Sequence, residues 1–481
     1  MGEHQVINQP DSDFMDRFDL IVIGSGAGTH VASQAANTGW KVALVDQGPT
    51  GGTCLNNGCI PSKMLIYPAD VVRAIQDARS TGVLASIEKI DFQNIISRMH
   101  EVIDDTRRRL EEVLKSKENL TYYQERTAFI GDYILKAGKK TLTAPKIVIA
   151  SGARSLVPPI PGLQEAGFLD NVTLLELEEP PKKLIIIGAG YLGCEYGHFF
   201  SAMGSDVTII GRSPRVLDNE DPEVCRILKG TLSRYLRLIT GHEAVRVEQK
   251  GKIKVVLARS REDGKISQFE ADEILLAVGR RSNSDLLHPE LSGVELDEHG
   301  WIKVNQYLET SKEGIWAVGD AIGKHMFRHT ANYESKIVLH NLLQAKNKDE
   351  RKTADFHAVP HAVFTYPHVA GVGLKEAEAL EAGLKILVGR AKYLDVSMGV
   401  AMSNEHGFVK VVLEDNGKIL GASVVGPMAE ELVQQVVYLM NTEYQDLVPI
   451  INSQVIHPTI NEVLVQAFSD LENPVVSGNK Q

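Results

Sequence analysis

Short apolar runs, glycine turns and helix-period segments recur in the same order at two places along the chain. Residues 18 to 46 read FDLIVIGSGAGTHVASQAANTGWKVALVD, and residues 183 to 212 read KLIIIGAGYLGCEYGHFFSAMGSDVTIIGR. Each predicts an apolar strand, a glycine-rich turn, a helix, a glycine and a second β-branched strand. That is the plan of a βαβ unit that binds a dinucleotide: glycines let the backbone approach a pyrophosphate, and the helix N-terminus faces its charge. The second copy is complete, with Gly188, Gly190 and Gly193. The first has Gly24 and Gly26, with Gly28 behind them, but Thr29 at the third motif position. Helix–strand packing there is expected to absorb a small side chain.

The rest of the chain divides by pattern as well. Residues 92 to 117 predict a long, charged, amphipathic helix with a solvated face. Pro180-Pro181 marks a boundary just before the second unit. From Glu243 to Ala277 the text reads as hairpins, with turns at Lys250-Gly251 and Asp263-Gly264. After Ala358 come strands, then a helix over Ala429–Asn441 and a final helix after Pro458, followed by the polar tail Ser477–Gln481.

Composition narrows the class. A length of 481 residues suggests about three domains, and 43% hydrophobic with 23% charged residues is ordinary for a globular protein. A formal net charge of -11 offers no basic excess for phosphates, which argues against nucleic-acid and anionic-membrane binding. The start, MGEHQVINQPDSDFMD, has no basic region followed by an apolar one, and runs such as Leu20–Ile23 and Leu184–Ile187 are strand-length. The expectation is a cytoplasmic protein.

Two nucleotide units in one chain suggest two nucleotides that exchange electrons. Asp46 ends the second strand of the first unit, where an acid binds a ribose hydroxyl pair. The same place in the second unit holds Gly211-Arg212, with Arg215 close behind. Arginine suits a 2′-phosphate, so NADP(H) is favoured over NAD(H).

The stretch GGTCLNNGCIPSKM, residues 51 to 64, adds two of the four cysteines. A regular helix rises about 7.5 Å over five residues, beyond the roughly 7 Å Cα separation a disulfide tolerates. Cys54 and Cys59 can therefore bridge only across a distortion, which Asn56-Asn57-Gly58 is suited to make. Pro61 then fits the first turn of a following helix. Zinc needs further ligands at short spacing, and the next thiols are the distant Cys194 and Cys225. The pair reads as a redox disulfide, and Cys194 and Cys225 as buried small hydrophobes. His357, His361 and His368 are separated by Pro360 and VFTYP, which spoils a helical ligand face, and no metal site is expected.

With these motifs in place, the chain resembles the class I pyridine nucleotide–disulfide oxidoreductases, flavoproteins related to dihydrolipoamide dehydrogenase and glutathione reductase. GGTCLNNGCIPSK is similar to that family's redox-disulfide stretch. IVIASGA (147–153), LLAVGRRSN (275–283), GIWAVGDA (314–321) and HPTINE (457–462) match its later segments. The resemblance implies an α/β chain with two Rossmann-like dinucleotide-binding domains and a C-terminal α+β dimerisation domain. Its parts would be an FAD domain over 15–156, an NAD(P) domain over 157–280, a central domain completing the FAD site over 281–356, and the dimerisation domain over 357–481. It also implies an obligate homodimer, because the family takes its His–Glu pair from the partner subunit.

The residue roles that the resemblance implies are specific. Cys54 is the interchange thiol that meets the substrate, and Cys59 the thiol next to the flavin. His457 with Glu462 is the proton carrier with its orienting carboxylate. Lys63 and Glu195 form an ion pair near the flavin's reactive nitrogen. Gly24, Gly26, Gly28, Asp46, Gly52, Thr53, Lys63, Gly152, Gly319 and Asp320 hold FAD, with Asp320 on the ribityl chain. Gly188, Gly190, Tyr191, Gly193, Arg212, Arg215 and Gly279 hold NAD(P), with Tyr191 either over the nicotinamide pocket or simply packed in the core.

Substrate choice narrows by absence. The chain has no C-terminal cysteine pair, as mercuric reductases and large thioredoxin reductases carry, and VASQAANTG lacks the arginine glutathione reductases use. HPTINEVL looks like dihydrolipoamide dehydrogenase; Thr29, GCIPSKMLIYPADV, Gly211-Arg212 and HTANYESKIVLHNLL look like mycothione-type reductases. The expectation is dihydrolipoamide on a separate lipoyl-carrier protein, with an NADPH-dependent reductase of a small disulfide as the alternative. A redox-inactive binding subunit would be expected to lose one of Cys54, Cys59, His457 or Glu462, and all four are present. Asn57 stands where the family usually has valine, and a polar amide there is expected to alter the flavin or disulfide potential.

Overall fold

The computed structural model describes residues 15–474. Residues 1–14, the larger part of the polar start discussed above, and the Ser477–Gln481 tail lie outside the described residues. The chain separates into two compact units. One comprises the residues up to Pro61, His100–Arg154 and Arg280–Ala354; the other comprises Ser62–Met99, Ser155–Gly279 and the residues from Asp355 on.

The first unit is built on a five-stranded parallel sheet. Its order is Ile315–Ala317, Ile147–Ile149, Leu20–Ile23, Val42–Val45, Leu120–Tyr123. The three central strands are buried throughout, as expected of a parallel sheet covered on both faces, and so they read as unbroken apolar runs. The helix Gly28–Asn37 makes the crossover between Leu20–Ile23 and Val42–Val45 and buries Val31, Ala32, Ala35 and Ala36. The helix Arg328–Leu343 packs against it, and Ser335 Oγ donates to the Ala27 carbonyl at 3.3 Å. A smaller sheet of Met15–Arg17, Lys140–Thr143, Ile134–Ala137 and Thr127–Gly131 completes the unit.

The second unit repeats the parallel plan with Arg237–Ile239, Asp206–Ile210, Lys183–Ile187 and Glu273–Leu276. Three antiparallel strands, His242–Lys250, Ile253–Ser260 and Ile266–Ala271, form the expected hairpins. Gly251 and Gly264 turn them with φ of 64° and 72°. The C-terminal region is a six-stranded sheet ordered Pro360–Val363, Val369–Gly373, Ile419–Val425, Phe408–Glu414, Ile386–Lys392, Leu471–Glu472. The helix Ala429–Met440 lays Leu432, Val433, Val436 and Met440 onto it, and Glu462–Ser469 adds Val463, Leu464, Ala467 and Phe468. Burying each large apolar side chain contributes about 1.5–3 kcal/mol, so these two stripes fix both helices.

The long charged helix spans Phe92–Lys115. A short helix at Val448–Asn452 is not signalled by periodicity, because five residues give too few turns to show a pattern. Among the described residues no helix is long and apolar enough to cross a membrane.

Candidate active site

The cysteine pair sits at a break between two helices. Gly52–Asn56 is entered through Gly51 and ends at Asn57, whose φ of −152° and ψ of 31° leave the helix; Cys59–Asp77 starts two residues later. Gly58 is required by a close approach, since a Cβ there would lie 2.8 Å from the Thr53 carbonyl oxygen. Asn56 clamps the turn. Its Nδ2 donates to the carbonyls of Pro49, Thr50 and Gly52, and its Oδ1 accepts from Arg107 Nε at 3.0 Å. Sequence reasoning gave Asn56 only turn propensity; its contact with a residue 51 positions away has no local signal.

Cys54 and Cys59 stand as two thiols rather than the bridged pair the sequence suggested. They are hydrogen-bonded to each other, and that bond with burial pushes the Cys54 thiol up, while Arg328 pulls it partly back. A dithiol and a disulfide of one pair differ by two electrons and two protons.

Around the first glycine turn, a Cβ on Gly24 would overlap the Ala150 carbonyl, and one on Gly52 would sit 2.8 Å from Gly26 Cα. One expectation needs correcting here. The residue that lets helix and strand meet is Gly28, whose Cβ would lie 2.8 Å from Val22 Cγ1, while Thr29 turns aside and donates through Oγ1 to the Ser25 carbonyl at 2.6 Å. Asp46 is committed to the turn: Oδ2 accepts from Ser25 N at 2.6 Å and Ser25 Oγ at 2.5 Å, and Oδ1 accepts from Gly48 N. Thr53 is half-buried one residue before Cys54.

Gly152 and Gly319 have φ of 66° and 69°. Gly319 N donates to the buried carboxylate of Glu334 at 2.5 Å. Asp320 pairs with Arg280 at 3.2 Å, and burial raises its carboxyl all the same. Burial also lifts Glu334 to about 7, helped by the charge of Asp320. Glu334 was missed from the sequence, being one acid in an unremarkable helix. Ser151 Oγ, Thr330 Oγ1 and Glu334 Oε1 are buried without a hydrogen-bond partner among the described residues. Unsatisfied polar atoms beside a glycine-walled turn fit a bound polar cofactor that completes them.

In the second unit a Cβ on Gly193 would overlap the Gly188 carbonyl oxygen, while Gly190 faces open space. Tyr191 opens the helix Tyr191–Ala202, and its hydroxyl donates to Glu220 Oε1 at 2.7 Å. The strand Asp206–Ile210 ends at Gly211, where a Cβ would lie 2.6 Å from Ala189 Cβ. Arg212 is exposed, and Arg215 pairs with Asp218 at 2.8 Å. Gly279, with φ of 125°, accepts from Leu156 N. Lys63 Nζ donates to both oxygens of Glu195 at 3.0 and 3.1 Å and lies 4.1 Å from the Phe364 ring centroid.

His457 Nδ1 is 2.8 Å from Glu462 Oε1, and Glu462 Oε2 accepts from Thr459 N at 3.0 Å. Those bonds draw the Glu462 carboxyl down and direct the exposed imidazole. His357, His361 and His368 each meet a carboxylate: His357 that of Asp355, His361 that of Glu220, and His368 those of Glu430 and Asp70. Cys194 and Cys225 are buried, and burial lifts Cys225 to about 11.

Comparison with known proteins agrees with this geometry. The pyridine nucleotide-disulphide oxidoreductase family matches residues 18–335, and its dimerisation domain matches residues 359–468. Mycothione reductase of Mycobacterium tuberculosis is 33% identical over 466 residues, covering 95% of this chain and all of that protein. Dihydrolipoyl dehydrogenase of Chlamydia muridarum is 31% identical over 462 residues, covering 94% of this chain and 96% of that one. The HOCl-induced flavoprotein disulfide reductase RclA from Escherichia coli superimposes with a TM-score of 0.81 at 30% identity, covering 94% of this chain and 99% of that one. The chain therefore belongs to the pyridine nucleotide-disulphide oxidoreductases, enzymes that use FAD and NAD(P)H, and carries that family's dimerisation domain.

Proposed function

We propose that this enzyme uses NADPH to reduce a small disulfide through FAD and the Cys54–Cys59 pair. One observation carries the reading. Gly211 occupies the place where an acid would hold the ribose hydroxyls of NAD, and Ala189 leaves no room there for any side chain. With no carboxylate at that point and Arg212 exposed beside it, a 2′-phosphate meets no repulsion.

Bound FAD supplies two-electron transfer between the nicotinamide and the cysteine pair. Gly24, Gly26, Gly28, Asp46, Gly52, Thr53, Gly152, Gly319 and Asp320 would hold it, with Lys63 placing a positive charge by the ring, and Gly188, Gly190, Gly193, Arg212, Arg215 and Gly279 would hold the nucleotide. In the thiol half of the reaction, Cys54 loses its proton and its sulfur attacks one sulfur of the substrate. The first substrate thiol leaves, taking a proton from the partner subunit's His457. Cys59 then gives up its proton and attacks Cys54, and the second substrate thiol leaves carrying that proton as the disulfide is restored. Because Cys54 holds its proton tightly in the dithiol, a base must take it, and Glu462 orients His457 for that task.

A second reading is oxidation of dihydrolipoamide on a separate carrier protein, which the HPTINEVL segment favours. A rate panel separates the two: lipoamide, glutathione disulfide and mycothione with NADH or NADPH, and dihydrolipoamide with NAD⁺ or NADP⁺. NADPH turnover of a small disulfide, with dihydrolipoamide inert, is expected. Dihydrolipoamide turnover with NAD⁺ alone overturns it. Cys54→Ser is expected to lose disulfide exchange while keeping bound flavin.

A further inference from the structure

Tyr191, Glu220 and His361 come together in the second unit. Tyr191 O–H donates to Glu220 Oε1 at 2.7 Å, and His361 Nε2 meets Glu220 Oε2 at 2.9 Å. The Tyr191 and His361 rings lie stacked, with centroids 5.9 Å apart and planes 11° from parallel. Glu220 is buried, with a side-chain exposure of 1%, so its charge is satisfied by these partners rather than by water. The group is assembled from three separate places: the start of the helix Tyr191–Ala202, the loop before Pro222–Leu232, and the strand Pro360–Val363.

A glycine marks where the third member stands. Gly371 lies opposite His361 in the antiparallel pair, and a Cβ on it would come 2.8 Å from His361 Cε1 and 3.0 Å from Nε2. No positive φ demands glycine at this point, so the space is what the missing side chain provides. The imidazole ring fills that space edge-on.

We infer that Glu220 and His361 are positioning residues that lock the Tyr191 ring as a wall of the nicotinamide slot, an inference that rests on the nucleotide site proposed above. Tyr191 directly follows Gly190, where the backbone faces open space, so its ring borders the second glycine turn. An anchored ring presents a formed surface to the nucleotide. A ring freed from Glu220 samples other rotamers, and binding must then order it. A buried hydrogen bond to a charged acceptor corresponds to about a 10- to 100-fold effect on such an equilibrium.

The test uses FAD-loaded Tyr191→Phe, Glu220→Leu, the double variant, His361→Ala and His361→Gln, followed by stopped-flow reduction of the flavin with NADPH and NADH. Each single variant is expected to raise the nucleotide concentration for half-maximal flavin reduction about tenfold. The double variant should be no worse than Glu220→Leu alone, because the Tyr191 bond is already gone in that variant. His361→Gln, which keeps a donor, should recover part of the loss seen in His361→Ala. Oxidation of dithionite-reduced enzyme by a disulfide should stay at the wild-type rate. Unchanged or tighter nucleotide dependence, or additive losses in the double variant, overturns the lock alone. A wild-type flavin that neither nucleotide reduces overturns the nucleotide reading and the lock with it.

Discussion

Glu195 receives the Lys63 ammonium on both carboxylate oxygens, at 3.0 and 3.1 Å, although the two residues are 132 positions apart. The same carboxylate accepts the Phe364 amide N–H at 3.0 Å, and Glu195 itself is buried. Glu195→Ala strands that amide, which costs about 1–3 kcal/mol when a buried donor is left unmade. Lys63 is more exposed, so solvent screens its share of the loss. Urea unfolding should show the destabilisation in Glu195→Ala and much less of it in Glu195→Gln, which keeps an acceptor. Equal losses in both would mean that charge, not the amide bond, sets the cost.

Gly58 offers a test of the break between the cysteine helices. An alanine there drives Cβ against the Thr53 carbonyl, backbone that cannot step aside cheaply. Overpacking of this kind costs about 1–3 kcal/mol. Gly230, exposed in the helix Pro222–Leu232 with open space around it, supplies the control; alanine there should stabilise by about 0.5–1 kcal/mol. Thermal melts and the rate of disulfide closure in the reduced protein, followed by thiol titration, check both. Normal closure in Gly58→Ala would show that the turn does not need glycine to bring the sulfurs together.

What the sequence disclosed, and what it hid, follows from range. The two βαβ units were legible because their strands are buried on both faces and their glycines stand within a few residues of the strand ends. Motif spacing alone pointed to Thr29 as the packing position, yet Gly28 abuts Val22. Which residue of a turn faces the strand depends on the angle at which the helix leaves, and spacing does not encode that angle. The pairing of Ile147–Ile149 with Ile315–Ala317 joins segments far apart in the chain, and no local pattern signals it. Glu220 and Glu334 carried no signal, and Asn56 only its turn propensity. Each acts through a partner brought near by the fold, so a local window shows only an ordinary polar residue.

His368 supplies a pH dependence with a definite sign. Burial opposes its charge, but hydrogen bonds to Asp70 and Glu430 outweigh that and lift it from 6.5 to about 9. His198, also held by Asp70, is pushed the other way, chiefly by burial. Below pH 6.5 His368 is charged in both folded and unfolded chains, and its contribution is full. Between about 6.5 and 9 only the folded form keeps the proton, so stability falls as pH rises, and the contribution is gone above about 9. The total is on the order of 3 kcal/mol. Comparing wild type with His368→Gln by urea unfolding at pH 6.5 and 9 isolates it. The difference between the two proteins should shrink at the higher pH, and a constant difference would refute the assignment.

Lys410 gives the largest expected single-site effect. Its ammonium, 4% exposed, meets Asp221 at 2.9 Å, Glu376 at 2.8 Å and Glu223. Arg390 reaches Glu376 at 2.7 Å and Glu223 at 3.2 Å, while among the described residues no second cation pairs with Asp221. Lys410→Met keeps most of the volume and removes the charge, leaving carboxylates buried beside one another. Breaking a buried ion pair from one side costs about 3–5 kcal/mol. Guanidinium unfolding at neutral pH should show that loss. Acidification should narrow it, because protonating the acids relieves their repulsion in the variant while weakening the pairs of the wild type. A loss below about 1 kcal/mol would mean that water reaches the cluster and screens it, as it does for exposed pairs.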